Sequence, residues 1–305
     1  MYETDQQQLE RWIRAACIAE VSVPKPGNVH PGAKFSDLHV DDFLQSAEVA
    51  APHLAQAATL GIGPAVLCAV EATHSAVGRN TNLGICLLVV PLAAVALQRD
   101  WRCGVAQVLA EATVNDSRDV YQAIRLAKPG GMGQVAAQDL SEQPTLPLKH
   151  IMRLAAAGSR ETLFHPRDTI ARQYAEDYWQ IALALESFEL WLERAPLATV
   201  IIGLHLTLMA AIPDTLIARK CGIGTAIEAA QRAGGVLNHG WPETSESKQR
   251  LDEFDAWLRV DGHRRNPGTT ADLVAAVLFL ALREGHVNIT DMESLAAQTT
   301  HEVSE

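Results

Sequence analysis

Leu9-Glu10-Arg11-Trp12-Ile13-Arg14-Ala15-Ala16-Cys17-Ile18-Ala19-Glu20 spaces its apolar side chains in a way that only a helix gathers onto one face. Leu9, Trp12, Ile13, Ala16 and Cys17 follow the i, i+3, i+4, i+7, i+8 template of a single buried stripe. Glu20 continues that stripe, four residues after Ala16, so a carboxylate points where the stripe otherwise meets the core. Burying such a charge is costly unless it is paired or ligated. Glu20 is therefore the first candidate functional residue.

The same period runs outward through about 41–58, 64–78, 83–98, 104–113, 117–127, 168–192, 197–212, 223–233, 247–259 and 270–284. No alternating strand stands out. The glycines at Gly61 and Gly63, and at Gly130, Gly131 and Gly133, match neither a dinucleotide fingerprint nor a P-loop. With only 5% aromatic residues and abundant Ala and Leu, the expectation is an all-α fold, one large helical bundle domain over 1–305. The stretch 128–147 holds three prolines and few apolar positions, which predicts a long mobile loop inside the bundle. No repeat with a period of about 20 to 50 residues is evident, so a solenoid is not expected.

Lys and Arg number 25 against 36 Asp and Glu, a net charge of −11. Nucleic-acid binding on a basic stripe is excluded by that balance, because neutralising phosphates needs an excess of cations on one face. The longest apolar runs, 83–97 broken by Pro91 and 197–212 carrying His205, fall short of the roughly 20 residues of a membrane span and read as buried core helices. Met1-Tyr2-Glu3-Thr4-Asp5 is acidic where a secretory signal is basic. Cys17, Cys68, Cys86, Cys103 and Cys221 are odd in number and scattered, which suggests neither a disulfide framework nor a zinc site. A cytoplasmic enzyme without membrane or nucleic-acid partners is expected.

Five polar junctions interrupt the apolar helices. Pro24-Lys25-Pro26-Gly27-Asn28-Val29-His30 follows Glu20, and its stiff path can hold Lys25, Asn28 and His30 in fixed directions. Asn80-Thr81-Asn82 offers two amides around a hydroxyl, although Gly78 and Asn82 equally read as a helix end and a helix start. Asp116 and Asp119 fit a helix cap or oxygen ligands for magnesium. Asp214 reads as an N-cap of a short helix ending at Gly222, with Arg219 and Lys220 near that end placed for phosphate. Thr269 and Asp272 form a Thr-x-x-Asp capping box ahead of an apolar helix whose N-terminus can also face an anion. Caps need not meet, whereas the parts of one site must. Convergence of Glu20, Asn28, Asn80, Asp214 and Asp272 on one cavity is the expectation that separates the two readings.

Taken in order, these segments resemble the triphosphoribosyl-dephospho-CoA synthase family. Glu20-Val21 with Pro24-Lys25-Pro26-Gly27 is similar to its Glu-Val…Pro-Lys-Pro-Gly opening, and Asn80-Thr81-Asn82-Leu83-Gly84 to its Asn-Thr-His-Lys-Gly. Asp214-Thr215 matches its Asp-Thr element, and Pro267-Gly268 with Ala271-Asp272-Leu273 its closing Pro-Gly…Ala-Asp-Leu. The family's His-Lys pair is replaced here by Asn82-Leu83. The resemblance implies transfer of a triphosphoribosyl group from ATP to a hydroxyl of dephospho-CoA or a related acceptor, releasing adenine. It leaves open a ribosyl transferase or hydrolase on another nucleotide, or an inactive nucleotide-binding helical protein. The oxocarbenium-like centre of such a transfer needs negative charge, a base and, for the triphosphate, magnesium and cations. On this reading Glu20, Asp214 and Asp272 are the catalytic candidates. Lys25, Asn28, His30, Asn80, Asn82, Arg219 and Lys220 bind substrate and phosphate, while Asp214, Asp272 and Asp116 hold Mg2+.

Overall fold

The computed structural model describes residues 3–33, 35, 38–129, 138–157, 168–262 and 264–302. Sixteen helices follow one another among them: α1 (Asp5–Ser22), α2 (Val40–Leu54), α3 (Ala57–Leu60), α4 (Ile62–Val77), α5 (Leu83–Ala93), α6 (Trp101–Glu111), α7 (Val114–Ala127), α8 (Leu148–Ala157), α9 (Thr169–Ala175), α10 (Trp179–Leu192), α11 (Leu197–Ala211), α12 (Thr215–Cys221), α13 (Ile223–Asn238), α14 (Ser245–Arg259), α15 (Gly268–Arg283) and α16 (Ile289–Glu302). The fold is all-α. Extended pairing among the described residues is limited to the isolated bridges His30–Ala33 and Phe35–Leu38.

A continuous apolar core runs from Leu9 in α1 to Met292 in α16, with contributions from every helix. Its axis is α5, where Leu83 and every residue from Ile85 to Ala93 are buried, packed by α15, α4, α6 and α2. Such all-round burial explains why its sequence shows no amphipathic period. Pro91 inside α5 has no N–H to give, so the carbonyl of Leu87 loses its helical donor. The Tyr174 hydroxyl donates to Leu87 O at 2.6 Å, and Tyr178 donates to the next carbonyl, Leu88 O, at 2.9 Å.

That arrangement corrects the single helix expected over 168–192. The chain breaks between α9 and α10, where Asp177 and Tyr178 adopt φ of 51° and 64° and Tyr178 N donates to Gln173 O. Periodicity alone could not see the break, because both flanking segments bury faces against the same core. Three further helices, α3, α8 and α16, were not anticipated, and α2 ends at Leu54, short of the expected 58. At the far end of α5 the buried Arg283 of α15 closes the helix, donating to Val95 O at 2.8 Å, Ala96 O at 2.7 Å and Arg99 O at 3.2 Å.

Of the loop at 128–147, residues 130–137 lie outside the described set. The described remainder is strapped to α7: Tyr121 donates to Gln138 O, Arg125 to Leu140 O and Glu142 O, and Ser117 to Leu146 O. Among the described residues no single helix is long and apolar enough to cross a membrane.

Candidate active site

A cavity of about 1180 Å³ opens between α1, α5, α7, α8, α12 and α15. Glu20, Asn28, Asn80, Asn82, Arg219, Lys220 and Asp272 line it, so seven of the ten expected catalytic and substrate residues meet on one surface although they span most of the chain. Lys25, His30 and Asp214 do not, and neither does Asp116.

Glu20 occupies the last turn of α1 and is 4% exposed. Lys25, fully buried, pairs with it at 2.9 Å from Nζ to Oε1 and also donates to the carbonyl oxygens of Glu20 and Val23. Lys25 thus anchors Glu20 from behind rather than reaching phosphate. The turn that carries Lys25 back onto α1 depends on Gly27. Its φ is 77°, a Cβ there would stand 2.7 Å from Leu258 Cδ1, and its N–H donates to Asp255 Oδ1 at 2.7 Å. Arg259 pairs with Asp255 and donates to Asn28 O, so α14 clamps the whole segment. Asn28 in turn donates from Nδ2 to Asn266 Oδ1 at 2.7 Å. Its own buried Oδ1 has no partner among the described residues, which leaves an acceptor at the cavity wall. His30 faces the Arg259 side, accepting from Gly32 N at 3.2 Å. Burial, then the Arg259 charge, lowers its pKa to about 4, so it is a neutral imidazole at pH 7 and not a phosphate ligand.

On the opposite wall, α5 begins where Asn80 Oδ1 accepts from Leu83 N at 3.1 Å and Asn82 Nδ2 donates to Thr73 Oγ1 at 3.0 Å. Asn82 is therefore the N-cap residue by position without capping by side chain. Gly84 in the first turn makes room for Asp272: a Cβ at Gly84 would fall 1.9 Å from Asp272 Oδ2. No described residue donates a hydrogen bond to that carboxylate. Its pKa is raised well above the usual carboxylate range by burial, then by Glu20 and Asp214, with Arg219 opposing.

The expected Thr269–Asp272 capping box does not form. Asp214 does that work from α12: Oδ1 accepts from Leu216 N at 2.8 Å and Ile217 N at 3.0 Å, and Oδ2 accepts from Thr270 N at 2.7 Å and Thr270 Oγ1 at 2.8 Å. One aspartate caps two helices, and Asp272 is released to face the cavity. Asp214, 2% exposed, has no oxygen left for a ligand, and burial outweighs these donors to raise its pKa. Asp116 is similarly spent, its Oδ2 accepting from Thr113 N and Oγ1 and its Oδ1 from Gly63 N at 2.9 Å.

Asp168 was not anticipated. It caps α9 through Ala171 N at 2.9 Å and holds Arg219 at 3.3 Å on the cavity rim. The pair Asp168-Thr169 repeats Asp214-Thr215, which was the available signal. Among the described residues no three His, Cys, Asp or Glu side chains converge as a metal cage.

Comparison with known proteins identifies the family. The model of the CitG family, ATP:dephospho-CoA triphosphoribosyl transferase, matches residues 6–291. A crystal structure assigned to a triphosphoribosyl-dephospho-CoA synthase from Archaeoglobus fulgidus superposes with a TM-score of 0.58 at 25% identity, covering 79% of this chain and 99% of that one. No curated protein sequence matches this chain.

Proposed function

Because this chain belongs to the ATP:dephospho-CoA triphosphoribosyl transferase family, we propose that the cavity bounded by Glu20 and Asp272 is where ribose C1 of ATP exchanges adenine for an acceptor hydroxyl. The protein is a transferase of the triphosphoribosyl-dephospho-CoA synthase kind, with ATP and dephospho-CoA as the substrates of its family. The observation that carries the site assignment is that Glu20 and Asp272 line one cavity, where Asp272 accepts no hydrogen bond from the described residues and has its pKa raised by burial and then by the Glu20 charge.

Breaking the bond between C1 and adenine leaves positive charge on the ribosyl centre. Glu20, held in place by Lys25, supplies negative charge beside that centre and takes the proton from the attacking acceptor hydroxyl, while adenine leaves with the electron pair of its bond to C1 and takes up a proton from solvent. Arg219 and Lys220, with Asp168 fixing Arg219, bind the triphosphate that stays on the transferred ribose. The Oδ1 of Asn28, unpartnered among the described residues, and the amides of Asn80 and Asn82 orient ribose and base.

Magnesium fits one part of this surface. Mg2+ commonly binds through one or two carboxylates together with substrate phosphates, and of the three aspartates expected to hold it only Asp272 opens onto the cavity. Its pKa is raised by burial first and then by the charges of Glu20 and Asp214, and a divalent cation would offset that cost of ionisation. Bound there with the triphosphate, the ion would neutralise the charge of the phosphates. Adenine release from ATP, followed with and without dephospho-CoA and magnesium, tests the reading. The expected result is release that requires both, and release independent of the acceptor would favour a hydrolase.

A further inference from the structure

The polar constellation occupies one part of the cavity. Toward α7 and α8 the same cavity is lined by Val120 and Ile124 on one helix and by Ile151, Met152, Leu154 and Ala155 on the other, with Tyr121, Gln138 and Asp139 beside them. The apolar positions fall at i, i+4 on α7 and at i, i+1, i+3, i+4 on α8, one face each. Val120, Ile151 and Met152 are buried, whereas Leu154 is 48% exposed and stands at the lip. Ribose and phosphates gain little from such a wall, because their polar groups would lose water without gaining partners. The volume, about 1180 Å³, also exceeds the roughly 300–1,000 Å³ of a pocket for one drug-sized ligand.

We propose that the α7–α8 side of the cavity is the acceptor-specificity subsite, binding the pantetheine arm of dephospho-CoA along an apolar trough that ends at Leu154. This rests on the transferase reading above. Dephospho-CoA is an adenosine diphosphate joined to pantetheine, and the arm carries methylene and gem-dimethyl groups that match this wall. Its nucleotide half belongs with the amides and carboxylates, which places the ribose hydroxyls near Glu20 and the arm beyond α7.

The trough predicts discrimination between dephospho-CoA and ADP, which retains the ribose and diphosphate and lacks the arm. Adenine release should show a KM for dephospho-CoA at least about tenfold below that for ADP. Leu154→Asp, an exposed position that leaves the core intact, should remove most of that advantage while leaving KM for ADP, KM for ATP and kcat unchanged. Equal KM for the two acceptors in the wild type, or an equal rise for both in the variant, would overturn the proposal. A second readout does not depend on turnover: saturation-transfer NMR with pantetheine alone should show contacts to its methyl groups in the wild type and their loss in Leu154→Asp. Pantetheine contacts without adenine release would retain the trough and overturn the transferase reading. Adenine release without pantetheine contacts would do the reverse.

Discussion

Asp214 and Asp272 stand at the same end of the bundle, both buried enough to have raised pKa values, yet the fold treats them oppositely. Asp214 accepts four hydrogen bonds and joins the first turns of α12 and α15. Asp272, two residues beyond Thr270, accepts none from the described residues and has Gly84 cleared in front of it. A carboxylate surrounded by donors is a structural clasp, whereas one faced by another carboxylate and an opening stores electrostatic strain that a ligand or cation can relieve. Burial of a charge therefore says little until its donors are counted.

The largest expected effect breaks the pair on the site side. Asp272→Asn should lower adenine release by about 100-fold or more with a melting temperature equal to or above that of the wild type, because it removes a charge that burial and Glu20 disfavour. A stability loss with intact turnover would make Asp272 a second clasp. Asp214→Ala should do the converse. Leaving Leu216, Ile217 and Thr270 N–H groups unpaired costs about 3 kcal/mol of folding stability, read as a shift in denaturant midpoint. Gly84→Ala sharpens the comparison further. Alanine favours the helix by about 1 kcal/mol over glycine, so the fold should hold. The new Cβ would nevertheless push the Asp272 carboxylate aside, and kcat/KM should drop by about tenfold. Unchanged kcat/KM would show that the position of Asp272 does not matter.

The smallest effect is in pH. Asp272 has a folded pKa above its unfolded one, so the unfolded chain gives up its proton first as pH rises. The carboxylate then subtracts stability, progressively, from its ordinary unfolded pKa upward to its raised folded pKa. The stability gained by Asp272→Asn should accordingly be near zero in acid below the ordinary carboxylate range and grow as pH increases through that window. Denaturant midpoints of both proteins across that window measure it.

How much of this is legible in the sequence varies with the kind of interaction. Helicity, the Gly78 and Gly222 helix ends and the Asp214 cap follow from spacing within one segment. Of the five residues expected to converge, Glu20, Asn28, Asn80 and Asp272 line one cavity while Asp214 is spent on two helix caps; spacing within each junction fitted a cap as well as a site and could not separate them. What escaped depends on partners distant in sequence. The capping box at Thr269 and Asp272 was locally complete, and only Asp214, more than fifty residues earlier, displaces it. Lys25 reads as a phosphate ligand until its burial against Glu20 is seen. The carbonyl freed by Pro91 sets the Tyr174–Tyr178 break, eighty-seven residues downstream of Leu87.

The division of labour between the two aspartates is tested most directly by titrating ATP, with and without magnesium, into the wild type, Asp272→Asn and Asp214→Asn at a temperature where all three are folded. Magnesium should tighten ATP binding in the wild type and in Asp214→Asn alike, and Asp272→Asn should lose that enhancement. Retention of the enhancement in Asp272→Asn, together with its loss in folded Asp214→Asn, would contradict the account.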